Sequence, residues 1–537
     1  MLVPIGVDGQ PMFGLARGLV PESVTAPREL GDGDTTGTDH TAALLDHGVV
    51  LRLERSSVPS AVDGFVVLGV HSDLALGPEQ VFRRTTTLRY TATVLFERLM
   101  KRLPTGWLED GLPLNAAAAQ ALATQWPALQ QAGHLRHARL QLGPAVFDAA
   151  DQAGGPRRPL CFALASCQYP PGLFDTEVAG ASFARLAADC EAPAPPQFLL
   201  AIGDQVYLDA TAGVFDPGLG AAPADRFQRA YELNRRLPAF RDAAARLPLA
   251  SMLDDHELRD NWQPQPPLDA EARQALALFA RHQALLNPAP LQPGAWHFGF
   301  RPAGALVLVL DTRTQRDLRR VDATSAGEAL ETARLIPEAV MRELCQRLKD
   351  ADPQAAKFVV SPVPLLPAER IDPAVPAARL RSDGWSGYPR SMFELLAFIR
   401  DQCIQRVVLL SGDAHASAVV QLALEGGPQV HGVMSSGLYA PWPFDHARPE
   451  QFVLEGPLTL GHAGQLLQGT MHCTAWSADN GYARIALEAD GDDAHAWLAV
   501  ELRGANGSTV RCRHDLRGDA AGRPTPTPTG EHDGQQL

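Results

Sequence analysis

The sequence predicts a layered α/β fold, and two features of its residue pattern carry that prediction. From Pro159 onward, apolar runs of four to six residues alternate with stretches of helical character, as they do when helices cover a sheet. Apolar runs of this length that end at turn residues are typical of buried strands. Because the carboxyl ends of strands line the ligand crevice in open α/β sheets, the polar residues after these runs are candidates for a functional site.

The predicted elements of this main region extend from residue 159 to residue 505. Six apolar runs are predicted to be buried strands, at 161–165, 198–202, 249–253, 305–310, 357–360 and 407–410. Helices are predicted between them, near 178–189, 224–237, 238–247, 269–286, 336–349 and 389–402. Beyond about residue 415 the pattern turns strand-rich, and these segments are expected to extend or cap the sheets, at 418–424, 430–435, 482–487 and 496–502.

The two ends of the chain have different patterns. Residues 1–150 contain candidate strands at 49–53, 65–68 and 88–96 and an Ala-rich helix near 114–132. We therefore expect a separate N-terminal β-rich domain containing some helix, whose role the sequence does not indicate. Residues 518–537 are rich in Gly, Pro and Thr and are predicted to be disordered.

Charge and cysteine usage exclude several classes of protein. The formal net charge of −14 disfavours nucleic acid and anionic membranes as partners, whereas a small phosphate ligand stays compatible because bound cations reverse the local sign. Seven cysteines in 537 residues do not make a disulfide framework.

No apolar run is long enough to predict a membrane span. The N-terminal residues carry no secretory signal and no twin-arginine pair, so we expect a cytoplasmic protein, or a periplasmic or secreted one if the chain is a processed form. The pattern indicates no oligomeric state.

Asp204 is the first candidate for metal binding, because it follows an apolar run and Gly203. A glycine before it permits a sharp turn, and a carboxylate with two oxygens can bridge two cations. Tyr207 lies three residues later and offers a phenolate oxygen, which is a ligand for iron in some enzymes. The alternative is a helix N-cap aspartate beside a packed tyrosine.

The Asp-Asp-His-Glu segment at 254–257 places three acids and a histidine directly after an apolar run, where they are costly to bury unpaired. Side chains alternate along an extended segment, so Asp255 and His256 point in different directions, and one can bind a metal while the other faces a substrate. The alternative is a helix cap, with Asp254 as the cap residue and Glu257 at the third position.

Two further strand ends carry metal-ligand types. Asp413 and His415 are two residues apart, which places both on one face of an extended loop. Cys167 follows the first apolar run, and a metal would make its thiolate a strong ligand. A loop aspartate with a surface histidine, and a buried apolar cysteine, are the alternatives. Because four strand ends each carry ligands of mixed type, we favour one open two-metal hydrolytic site over a closed structural zinc site.

The ordered motifs resemble a known family. The segments GDQVYLD (203–209), DDHE (254–257) with DNW (260–262), LDTR (310–313), DGWSGYP (383–389) and SGDAH (411–415) are similar to those of the PhoD-like (alkaline phosphatase D) metallophosphatases of the calcineurin-like phosphoesterase superfamily. The segment SCQ (166–168) resembles the first strand end of that family's catalytic domain. The resemblance covers residues 159–505. It implies a calcineurin-like α/β sandwich, with two mixed sheets flanked by helices.

The resemblance also implies a metal-dependent reaction on a small-molecule phosphoester. It implies hydrolysis of phosphate monoesters with Fe(III) and Ca²⁺, and Mn²⁺, Zn²⁺ or Mg²⁺ stay open as alternatives. By position, the implied metal ligands are Cys167, Asp204, Tyr207, Asp255, Asp413 and His415. Asp204 would bridge the two ions, and Cys167 and Tyr207 would hold the iron. A hydroxide bridging the ions is expected to attack phosphorus in line.

Three residues are expected to act on the substrate or to position a group that does. His256 would face the leaving group and stabilise or protonate its oxygen. Glu257 is expected to orient His256. Arg313 is expected either to contact the phosphate or to form a structural salt bridge. Two other functions stay open, namely a phosphodiesterase on the same scaffold and a non-catalytic protein that binds metal or phosphate.

Overall fold

A computed structural model describes residues 157–517, apart from 172–174, 210–225, 320–329, 372–379, 442–445 and a few single or paired positions, together with short segments between residues 2 and 141. The chain divides into two compact units, Met1–Pro144 and Ala145–Leu537. The predicted disordered tail, 518–537, lies outside the described residues.

In the first unit, the described strands form two antiparallel sheets. They are β1 (Leu2–Gly6), β2 (Val62–Val67), β3 (Gly69–Val70), β4 (Leu135–Arg136) and β5 (Arg139–Gln141). Strands β1, β2 and β5 form one sheet, and β3 pairs with β4. The predicted strand 65–68 overlaps β2, whereas those at 49–53 and 88–96 lie outside the described residues. Only positions 120 and 124 of the predicted helix are described, and both are helical.

The second unit contains fourteen described strands and five helices whose bounds are described, besides described helical positions between 226 and 234, at 330–332 and at 380–381. The strands are β6 (Leu160–Ala165), β7 (Leu199–Ile202), β8 (Leu249–Met252), β9 (Phe298–Phe300), β10 (Leu306–Val309), β11 (Lys357–Ser361), β12 (Val407–Ser411), β13 (Ser417–Leu424), β14 (Gln429–Met434), β15 (Gly456–His462), β16 (Gln465–Ser477), β17 (Gly481–Asp490), β18 (Asp493–Gly504) and β19 (Thr509–Asp515). The helices are α1 (Thr176–Asp189), α2 (Pro238–Ala244), α3 (Ala270–His282), α4 (Glu338–Asp350) and α5 (Pro389–Asp401). Within the described part of the chain, no helix combines the length and apolar character that a membrane crossing needs.

These strands form two mixed sheets. One has six strands in the order β19-β18-β17-β6-β7-β8, and the other has eight in the order β15-β16-β13-β14-β12-β11-β10-β9. Strands β6, β7 and β8 are parallel, as are β10, β11, β12 and β14, and the remaining pairs are antiparallel. The parallel strands are buried along almost their whole length, which explains why the sequence shows them as continuous apolar runs.

The main core lies between the sheets, and helices cover their outer faces. Phe162 of β6 stacks on Phe198 at 4.9 Å between ring centroids and meets Phe358 of β11 edge-on at 5.3 Å, so the two sheets share one aromatic cluster. Phe183 of α1 packs with residues of β6 and β7, while Leu344 of α4 belongs to a cluster with β10, β11 and α5. The predicted arrangement, two mixed sheets flanked by helices, is confirmed.

The carboxyl ends of the central strands meet where the two sheets approach each other. The backbone N–H of Cys167 donates to the Gly203 carbonyl at 3.2 Å, and that of Gly203 donates to Met252 at 2.8 Å, which links the ends of β6, β7 and β8. The Ser166 hydroxyl donates to the Ser435 carbonyl at 3.2 Å and accepts from the Asp413 N–H at 3.3 Å, which joins this edge to the eight-stranded sheet. Loops from both sheets therefore deliver their side chains to one place.

Candidate active site

Four aspartates converge at this edge. Each of Asp204, Asp254, Asp255 and Asp413 offers one carboxylate oxygen, and the four oxygens lie within 4.8 Å of one another. A second grouping at the same distance limit joins Asp204 and Asp255 to His256. The loops that carry these residues lie 50 to 209 residues apart along the chain and are neighbours in space.

Backbone conformation explains how the strand ends turn inward. Cys167, Asp204, Asp413 and His415 all have positive φ angles, between 49° and 71°, which non-glycine residues adopt rarely and which are enriched at functional sites. Gly203 has φ 89°, and a Cβ there would lie 2.5 Å from the Cβ of Asp254. Only glycine fits at that position, so the close approach of the two loops depends on it.

The carboxylates repel one another. Burial raises the pKa of Asp204 well above its usual range, and the nearby Cys167 and Asp255 raise it further. Burial likewise raises the pKa of Asp413, together with the charges of Asp254 and Asp255. Ionising all of these groups in a buried space is unfavourable unless positive charge is supplied.

The donor set fits bound cations. Carboxylate oxygens are the preferred ligands of hard cations. The Oδ2 atom of Asp254 is buried and has no hydrogen-bond partner among the described residues, so it is an unsatisfied acceptor inside the cluster. The Cys167 Sγ lies 3.5 Å from Asp204 Oδ2, which brings a thiol to the same group.

Tyr207 and His415 lie together beside the cluster. The Tyr207 hydroxyl is 3.3 Å from Nε2 of His415, and the Tyr207 ring stacks on His256 at 4.1 Å between centroids. Burial raises the pKa of Tyr207 well above its usual range, with further contributions from Cys167 and Asp204. All six residues predicted as metal ligands are therefore brought to one region.

His256 is held by Asp209, a residue to which the sequence analysis assigned no role. Its Nδ1 atom lies 2.8 and 2.9 Å from the two Asp209 carboxylate oxygens. Burial opposes the charged form of His256, but the hydrogen bond to Asp209 and the charges of the nearby aspartates prevail and raise its pKa to about 10. The only sequence signal for Asp209 is its position at the end of the 203–209 motif.

Glu257 does not contact His256 in the way that the sequence led us to expect. Its buried carboxylate accepts backbone N–H bonds from Asp204 at 2.9 Å, Gln205 at 2.8 Å and Asp254 at 2.9 Å. The bonds from Asp204 and Gln205 connect their loop to the loop of Glu257, and the bond from Asp254 closes the turn at 254–257. Glu257 therefore fixes the positions of two aspartate-bearing loops relative to each other.

Arg313 lies behind the aspartates. Its side chain has 0% exposure and forms ion pairs with Asp254 and Asp383. Arg316 pairs with the same Asp383 at 2.6 Å, and although burial favours the neutral acid, the two guanidinium groups hold the pKa of Asp383 well below its usual range. Of the two roles that the sequence left open for Arg313, this placement favours the structural salt bridge.

The match to a family model agrees with the motif resemblance. The family described as "PhoD-like phosphatase" matches residues 162–439, just over half of the chain. Among solved structures, "Structure of PhoD" is 16% identical, with a TM-score of 0.49, and the match covers 71% of this chain and 73% of that one. Purple acid phosphatase PPD1 from seeds of yellow lupin (Lupinus luteus) is 9% identical, with a TM-score of 0.41, covering 71% of this chain and 56% of that one. No curated protein matches the sequence.

Proposed function

Because the chain belongs to the PhoD-like phosphatase family, we propose that it hydrolyses phosphate monoesters at the aspartate cluster with two bound metal ions. The observation that carries the proposal is the convergence of four mostly buried carboxylates within 4.8 Å, with one oxygen of Asp254 left without a hydrogen-bond partner among the described residues. Arg313 pairs with Asp254 and Asp255 of this cluster, and its single charge balances only part of the negative charge. Two multivalent cations would reverse the local sign and attract a phosphate dianion.

The side chains divide into two groups of ligands under this proposal. Asp204, Asp255 and Asp413 would supply carboxylate oxygens to the ions, with Asp204 as the candidate shared by both. Cys167, Tyr207 and His415 would hold the ion on their side, and a thiolate with a phenolate suits iron, whereas carboxylates suit calcium. Mn²⁺, Zn²⁺ and Mg²⁺ are the alternatives to be tested. Bound ions of this kind polarise the phosphate and lower the pKa of a coordinated water.

His256 would supply the proton that the leaving alcohol needs. The carboxylate of Asp209 fixes its ring orientation through Nδ1 and favours the protonated ring. General acid catalysis of this type contributes roughly 10²- to 10⁴-fold in rate. Glu257 would act indirectly, by holding the loops that carry Asp204 and Asp254.

Metal analysis combined with hydrolysis tests this proposal. Protein purified without added metal is analysed by elemental mass spectrometry and assayed on 4-nitrophenyl phosphate and on bis(4-nitrophenyl) phosphate. We expect two equivalents of metal and faster monoester than diester hydrolysis. Asp204→Asn should lose both metal and turnover, whereas His256→Ala should keep the metal and lose turnover.

A matched control is Asp401→Asn, which removes the same charge from an exposed residue that pairs with Arg400 at 2.7 Å. Faster diester hydrolysis would instead assign a phosphodiesterase. A metal-loaded protein that hydrolyses neither ester would indicate a non-catalytic metal- or phosphate-binding protein. Full activity of Asp204→Asn with metal bound would refute the two-metal site.

A further inference from the structure

The segment DGWSGYP (383–389) has no part in the proposed ligand set, yet the fold anchors it beside the site. The Trp385 side chain is fully buried, its backbone N–H donates to the Pro364 carbonyl at 3.1 Å, and its indole Nε1–H donates to Oγ of Ser361 at 2.9 Å. Ser361 is the last residue of β11, at the edge of the sheet where the aspartates converge. Asp383, the first residue of the segment, is therefore held at this edge.

The Asp383 carboxylate binds two buried arginines that follow β10. Its Oδ2 pairs with Nη2 of Arg313, and its Oδ1 accepts a hydrogen bond from Nη1 of Arg316 at 2.6 Å. Arg316 is itself fixed, because its Nε–H donates to the Thr312 carbonyl at 2.6 Å and its guanidinium lies 5.4 Å from the centroid of the Tyr388 ring. Since both carboxylate oxygens are engaged and the guanidinium is a rigid planar fork, Asp383 fixes the direction in which the Arg313 fork points.

Arg313 carries these contacts on to the aspartate cluster. Its Nε–H donates to Oδ1 of Asp254, whose Oδ2 is buried without a hydrogen-bond partner among the described residues. Its Nη2, the atom paired with Asp383, lies 3.6 Å from Oδ1 of Asp255, which is too far for a hydrogen bond. Asp383 therefore holds the guanidinium back from Asp255, so that this carboxylate and one oxygen of Asp254 stay available to a cation.

The arginine acts on one side of the cluster. Oδ1 of Asp204 shares a donor with Asp255, since the His256 backbone N–H lies 3.3 Å from the former and 3.1 Å from Oδ1 of the latter. Oδ2 of Asp204 instead lies 3.5 Å from Sγ of Cys167. The ion pair of Arg313 with Asp255 thus belongs to the side that Oδ1 of Asp204 faces, and no ion pair joins Arg313 to Cys167.

We propose that Asp383 is a positioning residue, which acts through Arg313 to set the affinity of the site for the metal ion on the Asp255 side. The inference rests on the proposed function, because it concerns the ions of that site. With Asp383 in place, Nη2 of Arg313 is engaged, and a cation reaches Asp255 without displacing a hydrogen bond to the arginine. Without Asp383, Nη2 closes the 3.6 Å gap, and the cation competes with a positive charge for the same carboxylate. The 383–389 segment thus tunes metal binding without contacting metal or substrate.

Metal titration of the full-length protein tests the inference without requiring turnover. The protein is stripped of metal with a chelator and titrated by calorimetry with Mn²⁺ and, separately, with Ca²⁺, so that the two ions appear as two binding steps. We expect Asp383→Asn to weaken one step roughly tenfold, as one charge-assisted hydrogen bond gained by Asp255 would give, and to leave the other step unchanged. Arg316→Gln, which leaves Asp383 to Arg313 alone, should instead keep the affinity or raise it. Weaker binding by Arg316→Gln would contradict the proposal, whether or not Asp383→Asn folds.

Asp493→Asn is the matched control, because it breaks a comparable ion pair far from the site. Asp493 pairs with the largely buried Arg406 at 2.5 and 2.8 Å, and Arg406 precedes β12, at the end of the sheet opposite the aspartates. This variant should lower stability in urea and leave both binding steps unchanged.

An Arg313→Gln background separates positioning from net charge. In that background Asp383→Asn should have no further effect on metal affinity, because its contribution acts through the missing guanidinium. Unchanged metal binding by Asp383→Asn alone, the same loss in the Arg313→Gln background, or the same loss for Asp493→Asn would overturn the inference and leave the proposed function standing. Absence of metal binding to the unaltered protein would refute the proposed function instead.

Discussion

Replacing Asp209 by Asn should separate the positioning of His256 from metal binding. The change removes a negative charge that lies 2.8 Å from His256 Nδ1 and leaves every proposed metal ligand in place. A charge-assisted hydrogen bond contributes about 1.5–3 kcal/mol, and one pKa unit corresponds to about 1.4 kcal/mol. Asp209→Asn should therefore lower the pKa of His256 by about 1–2 units from its raised value.

The pH dependence of kcat/KM measures this shift. A general acid must be protonated, so activity falls as pH rises through its pKa, and the alkaline limb for Asp209→Asn should move to lower pH by the same amount. Loss of the fixed ring orientation should lower kcat by a further 10- to 100-fold or so, as removal of a group that orients a functional histidine commonly does. Asp242→Asn is the control, because Asp242 is exposed and pairs only with Arg246 among the described residues.

A double-variant comparison makes the reasoning refutable. In a His256→Ala background, Asp209→Asn should have no further effect on kcat, because its contribution acts through the missing ring. An unchanged alkaline limb in the single variant, or an equal loss of activity in both backgrounds, would show that Asp209 does not act through His256. Metal content measured in parallel should be the same in all of these variants.

Three other outcomes follow from the structure. Gly203→Ala should lower the free energy of unfolding, measured by urea unfolding, by roughly 3 kcal/mol, because a strained φ and a 2.5 Å clash with Asp254 combine. Gly426 is the control, because its φ of 70° is similar but the space around it is open, and Gly426→Ala should lower the free energy by only about 1–2 kcal/mol. Burial lowers the folded-state pKa of His431 to about 3, with a smaller contribution from the neighbouring His514. Burial likewise lowers the folded-state pKa of His514 to about 4, with a smaller contribution from His472. On these two histidines the unfolded chain therefore holds more protons than the folded chain between pH 6.5 and 4, so their contribution to stability is full above pH 6.5 and falls by up to about 1.4 kcal/mol per pH unit per histidine below it. His431→Gln should make stability less dependent on pH over this range in urea titrations, and an unchanged slope would contradict the assignment. Protein loaded with ferric iron should show a visible tyrosinate absorption band that Tyr207→Phe removes without loss of fold, and a band that persists would exclude Tyr207 as the ligand.

Much of the central fold could be predicted because it is buried. Strands β6, β7, β10, β11 and β12 have apolar side chains on both faces, and such strands leave continuous apolar runs in the sequence. Strands β15 and β16 were not predicted, because their residues alternate between buried and exposed and include many polar side chains. Their conformation is fixed by pairing, β16 with β13 and β15 with β16, which a local pattern does not record.

The sequence by itself determined the types of chemical group at the site. Apolar runs ending in Asp204, in Asp255 with His256, and in Asp413 with His415 are local facts, and the order of the motifs was enough to indicate a phosphatase family. Those observations depend on residue identity and short-range spacing alone.

Only the tertiary structure decided which groups act on which. It paired His256 with Asp209 rather than with the adjacent Glu257, because side chains that are neighbours in sequence leave the backbone in different directions. It also buried Arg313 between Asp254 and Asp383, which lie 59 and 70 residues from it along the chain. Hydrogen bonds and ion pairs depend on distances of a few ångströms in space, and those distances are set by how the two sheets pack, not by spacing along the chain.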